Sequence, residues 1–142
     1  MKFERSATIV LVPVILFFSG FKTPDNYRLD VEVTNYDQNS SSKIWVSVFE
    51  ENGFLEKSIQ TKSTLAIGQK VVITFDLPPG KYAVSSYHDI NQNNKLDRYF
   101  IGKPKEPYGF SNNVRPLGPP DFEDCQFILN NSQKTLSIKL IN

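Results

Sequence analysis

The sequence predicts an all-β fold: an antiparallel β-sandwich of about seven short strands carrying one long loop rich in proline and asparagine. Three observations lead there. Apolar residues recur at every second position in a series of short runs. Clusters of Gly, Pro and Asn separate those runs. No sustained 3.6-residue stripe appears anywhere along the chain.

The first run is YRLDVEVT. Tyr27, Leu29, Val31 and Val33 point one way, and Arg28, Asp30, Glu32 and Thr34 the other. That is a strand with one wet face. In KIWVSVFE, Ile44, Val46 and Val48 share a face while Trp45 and Phe49 take the opposite one. Apolar residues on both faces suit a central strand. Residues 54–67 fit either a strand with a connection or a short helix. In KVVITFDL, Val71, Ile73, Phe75 and Leu77 alternate with Val72, Thr74 and Asp76. Pro78-Pro79-Gly80 then reverses the chain, with Gly80 expected at positive φ. KYAVSSYH returns as the next strand. Cys125, Phe127 and Leu129 alternate in a later run, and Asn130-Asn131-Ser132 turns the chain once more. Leu136, Ile138 and Leu140 of TLSIKL share one face of the last strand.

Ahead of these strands lies a segment of another kind. Lys2 and Arg5 precede the uncharged run Ala7 to Phe18, which is followed by Ser19-Gly20. The run is shorter than the roughly 20 apolar residues of a membrane-spanning helix. Residues 1–20 therefore read as a secretory signal peptide, with a retained anchor as the alternative. The β-sandwich domain is expected over residues 27–141. The protein is expected to be exported, to the periplasm, cell envelope or exterior, with no transmembrane span after signal removal. Loss of Lys2 and Arg5 against Glu4 brings the formal charge from +1 to zero. Such a balance gives no reason to expect nucleic acid as a partner. One Cys and one His exclude an internal disulfide framework and a multi-histidine metal centre within one chain.

Residues 89–121 do not read as strand. Pro104, Pro107, Pro116, Pro119 and Pro120 would interrupt any ladder. Loops of this length are functional or disordered, and Tyr99, Phe100, Tyr108 and Phe110 argue for a packed one. At its start, Asp89, Asn91, Asn93 and Asp97 fall at positions 1, 3, 5 and 9 of D-x-N-x-N-x-x-x-D, with the Lys95 carbonyl at position 7. Short oxygen-bearing side chains so spaced can converge on a hard cation, Ca²⁺ being the candidate. Asn94 stands where glycine would make the sharp turn, and Phe100 where a bidentate Glu would close the shell. The competing reading is an Asn/Asp-rich turn that satisfies its own backbone.

Residues 82–129 resemble a bacterial exported family known as domain of unknown function 2141. The resemblance rests on His88-Asp89, Leu96-Asp97, Gly102 to Glu106, Tyr108 to Asn112 and Gly118 to Cys125, in that order. It implies an exported β domain and carries no established activity. LPPGKYAV is similar, more weakly, to the Pro-Pro-Gly-x-Tyr turn of transthyretin-like and carboxypeptidase-regulatory sandwiches. An immunoglobulin-like or transthyretin-like sandwich is the resulting fold expectation.

For function, the sequence favours a non-catalytic module that meets a protein or glycan partner, or the envelope. His88, Glu106, Tyr108, Phe110, Ser111, Asn112 and Arg115 are the ligand or partner candidates. The alternative is a small hydrolase using His88 and Asp89 with Cys125 as nucleophile. That chemistry needs thiol and imidazole within hydrogen-bond reach. Cys125 sits in an apolar alternation, where it is expected to act as a small hydrophobe.

Overall fold

The computed structural model describes residues 25–38 and 41–142. The expected signal peptide, residues 1–20, lies outside the described residues. Eight strands follow in order: β1 Tyr27–Thr34, β2 Lys43–Phe49, β3 Gln60–Leu65, β4 Lys70–Leu77, β5 Gly80–Asp89, β6 Tyr108–Phe110, β7 Phe127–Leu129 and β8 Gln133–Lys139. They form two sheets. One has the order β4-β1-β8. The other runs β3-β2-β5-β6, with β7 also paired to β5.

Period two decides which side chains meet between the sheets. Leu29, Val31 and Val33 of β1 face Ile44, Val46 and Val48 of β2 across one core. Ile73, Phe75 and Leu77 of β4 and Tyr82 and Val84 of β5 join them. Each is buried, and burying such a side chain contributes roughly 1.5–3 kcal/mol. β2 sits between β3 and β5, and its outer face is covered too, with Trp45 stacked on Tyr87 and Phe49 edge-on to Phe54.

Four local expectations are corrected. The pairing is not wholly antiparallel, because β1 and β8 run parallel, with Val31 opposite Leu136. β8 reaches its place by crossing from the other sheet, so no hairpin dictates its direction. Gly80 does not sit at positive φ. It is glycine because a Cβ there would lie 3.1 Å from the ring of Tyr82, whose hydroxyl donates to the Pro78 carbonyl at 2.9 Å. Cys125 belongs not to a strand but to α1, the single helical turn Phe122–Cys125. The segment 89–121 is not strandless: it contains β6, followed by the 3₁₀ turn Ser111–Asn113. The ambiguous 54–67 region resolves into a turn and then β3, an edge strand with little burial.

Side chains close both open sides of the sandwich. On one, Lys62 Nζ donates to the Thr74 carbonyl at 2.6 Å and Gln60 to the Asp76 carbonyl at 3.1 Å. On the other, Asn113 imitates a strand. Its amide donates to the Ser137 carbonyl at 3.0 Å, and its oxygen accepts the Lys139 N–H at 2.8 Å. Unpaired edge groups of β4 and β8 are thereby covered.

Candidate functional site

The outer face of the β2–β5–β6 sheet carries a second layer, supplied by the long segment. Successive strand residues alternate in direction, so Val84 enters the inter-sheet core while Ala83 faces outward. Ala83 packs there with Phe110, Phe122 and Cys125, and Phe54, Leu55, Tyr108 and Val114 border the cluster. Gly109 points the other way. A Cβ on it would come within 2.8 Å of Ile138, so only glycine lets β8 pass beneath β6.

Ser111 repairs a gap in the ladder. β7 pairs with Gly80 to Tyr82 and β6 with Ser85 to Tyr87, leaving Ala83 and Val84 between them. The Ser111 hydroxyl accepts the Val84 N–H at 2.9 Å and donates to the Cys125 carbonyl at 2.5 Å. Asn112, at φ 62°, donates to the carbonyls of Asp124 and Gln126 at 2.9 and 3.0 Å. The polar groups of these two ligand candidates thus bind the chain's own backbone.

The Asn-rich loop is organised by carboxylates. Asp89 is fully buried and accepts the N–H groups of Asn93 and Asn94 at 3.1 and 2.9 Å, and the Trp45 indole at 3.3 Å. Asn94 takes the left-handed conformation at φ 60°. The Asn91 and Asn93 side chains each accept a backbone N–H two residues on. Their amide nitrogens donate to Asp97 Oδ2 at 2.6 and 3.0 Å. Glu106, nearly buried, accepts from Ile90 at 3.0 Å and from Asp97 at 3.2 Å, tying the two ends of the loop together. The Lys95 N–H is one of the donors held by this turn. Among the described residues, no Lys or Arg forms an ion pair with Asp89, Asp97 or Glu106. Nor do three His, Cys, Asp or Glu side chains form a ready metal cluster there. The Tyr87 hydroxyl registers the unbalanced charge. Burial, and then the carboxylates of Asp89 and Glu106, push it up to about 12.

His88 and Cys125 are not brought together. The His88 ring lies edge-on to Tyr36 in the inter-sheet core, with Nε2 bonded to Ser42 at 2.5 Å. Cys125 lies on the far side of the same sheet, in the outer cluster. Burial holds His88 below the usual imidazole value against the opposing charges of Asp37 and Asp89. Burial, followed by the charge of Asp124, pushes the Cys125 thiol up to about 11. A thiol so placed is a poor source of thiolate.

Between the limbs of the long segment lies a groove of about 460 Å³. Tyr108, Phe110 and Leu55 line it together with Pro104 and Pro116 to Pro120. Arg98 and Lys103 are its charged lining residues. Ile101 and Leu117 also line it, yet stand 83% and 111% exposed. Of the sequence candidates, only Tyr108 and Phe110 reach this groove, while Arg115 is exposed beside it in the chain. Arg98, Ile101, Lys103 and Leu117 were missed. The signal for the first three was a stretch, RYFIGKPK, that mixes apolar and basic residues without one carboxylate.

These features define an all-β sandwich whose outer layer, built from a Pro- and Asn-rich segment, is its most specialised part. The profile of a family described as an uncharacterized protein conserved in bacteria (DUF2141) matches residues 31–137, and the chain belongs to that family. No curated protein and no solved structure matches the chain.

Proposed function

We propose that this protein is an exported, non-catalytic binding module that meets a protein, glycan or envelope component through residues 90–121. The observation that carries the reading is the groove. Its volume falls in the range of ligand sites, and its lining is mostly apolar with few polar groups. The sandwich serves as a rigid platform, and the segment held by Glu106 and Ser111 is the recognition surface laid upon it. The separation of His88 from Cys125 supports a role without catalysis.

The test is a melting-temperature screen against cell-wall glycans, peptides and amphiphiles. Any ligand found is repeated on Leu117→Asp, a variant at a fully exposed position that leaves the fold intact. The reading expects the stabilisation to vanish in that variant. A shift that persists unchanged in both Leu117→Asp and Ile101→Asp would sink it.

A second reading has its own observation: three carboxylates on one loop without a basic partner among the described residues. Ca²⁺ would be held by Asp97, Asp89 and the Asn91, Asn93 and Lys95 oxygens after the side-chain amides turn, with water completing the shell. A ligand at a hundredfold excess over its Kd stabilises the folded state by about 2.7 kcal/mol. Millimolar Ca²⁺ should then raise the Tm, and Asp97→Ala should remove the rise. Identical melting in Ca²⁺ and in chelator would leave the loop as a self-satisfied turn.

A further inference from the structure

Two neighbouring tips of the outer layer end in apolar side chains without protein cover. Phe100 and Ile101 form one, at 107% and 83% exposure, and Leu117 the other, at 111%. Ile101 and Leu117 line the same groove, so both tips border it. The charged residues within the two stretches that carry the tips have one sign. Arg98, Lys103 and Lys105 flank the first tip and Arg115 the second, all exposed. Neither Arg98 to Lys105 nor Val114 to Pro120 contains a carboxylate. The acidic residues bordering the first stretch are turned to the loop: Asp97 holds two asparagine amides, and Glu106 is buried on two backbone N–H groups. Beyond the second stretch, Asp121 leads into α1.

We propose that these tips dock the protein on a bilayer surface containing anionic lipid. The proposal rests on the reading of residues 90–121 as the binding element, and it names the envelope component. Projecting apolar side chains lose contact with water when they enter the headgroup region, and nearby cations gain from a negative surface. Neither contribution suffices alone, because stable peripheral binding takes two signals. Tips that project singly suit a fluid, deformable surface. A folded protein partner would instead need two matched pockets at their spacing.

The experiment is co-sedimentation of the exported protein, its N-terminus read by mass spectrometry, with phosphatidylcholine vesicles lacking or containing about 30% phosphatidylglycerol. Binding should be at least about twenty-five-fold stronger on the anionic vesicles and should fall as salt shortens the screening length. A cation near such a surface contributes about fivefold, so Lys103→Gln with Lys105→Gln should weaken binding about twenty-five-fold. Ile101→Ser with Leu117→Ser should weaken it about tenfold or more. Both pairs lie at exposed positions, and an unchanged Tm checks their folding. Equal binding to the two vesicle types, or binding indifferent to both double variants, overturns the proposal. If vesicles are not bound while a soluble ligand still depends on Leu117, this inference falls and the binding-module reading stands. If neither binds, both fall.

Discussion

The inter-sheet core and the outer layer lie on opposite faces of the same sheet and are held by different forces. The core is a continuous set of Val, Ile, Leu and Phe side chains from six strands. Its cohesion is non-directional and scales with area, so many apolar sets of similar volume would serve. The outer layer has a smaller apolar cluster around Ala83, Phe110, Phe122 and Cys125. Its remaining order comes from single polar atoms: the Ser111 hydroxyl, the Asn112 and Asn113 amides, and the carboxylates of Asp89 and Glu106. Such bonds are directional, and losing one partner strands the other without water. One region tolerates exchange, whereas the other depends on particular atoms.

The strongest way to break the comparison is in the core. Phe75→Ala, at a position with no exposure, should cost about 3–5 kcal/mol in urea unfolding. A loss below about 1 kcal/mol would mean that the core recloses around the cavity and is no closer packed than the outer layer.

Ser111→Ala removes one oxygen and changes almost no volume. It leaves the Val84 N–H and the Cys125 carbonyl without their partner in a buried place. A cost of about 1–3 kcal/mol is expected, against about 1 kcal/mol or less for Cys125→Ala beside it. If the two variants lose equally, the outer layer is held by packing like the core.

Glu106→Gln keeps the shape of the side chain but halves its acceptors. Charge-assisted bonds of this kind contribute about 1.5–3 kcal/mol, and here the loss should be local. Hydrogen exchange at Ile90 and Asp97 should accelerate while the amides of β1 and β4 stay protected. Uniform acceleration would show the loop to be part of the global folding unit.

The smallest effect concerns the His88 imidazole. The folded His88 titrates below the ordinary 6.5 because burial disfavours its charge. Between the folded and unfolded values, the unfolded chain binds more protons, so stability rises with pH there. The contribution is fully present above about pH 6.5 and is lost as the pH falls below it. Urea midpoints measured across this interval should decline toward acid, and His88→Gln should flatten the slope. A slope that survives the substitution would assign the dependence to other groups.

The two regions were also unequally legible. β1, β2, β4 and β5 were readable from alternation alone, because each buries one face against the other sheet and a shift of one residue would expose that whole face. β3 was not, since an edge strand has no continuous partner to require apolar residues. β6 was hidden among prolines, and its reason for being, a glycine over Ile138, involves a residue 29 positions away. The Asp/Asn spacing of residues 89–97 was visible, but Glu106 was read only as a ligand or partner candidate and not as the group that ties the loop's two ends.

The sequence by itself determined the fold class, the alternating core and the presence of one specialised segment, because these follow from local periodicity and from where proline forbids a ladder. Tertiary structure decided the rest. It set β8 parallel to β1, placed His88 and Cys125 on opposite faces of one sheet, and put Ile101 and Leu117 on one groove. The reason is physical: periodicity says which face of a strand is buried, but only the closed sandwich says what lies against it.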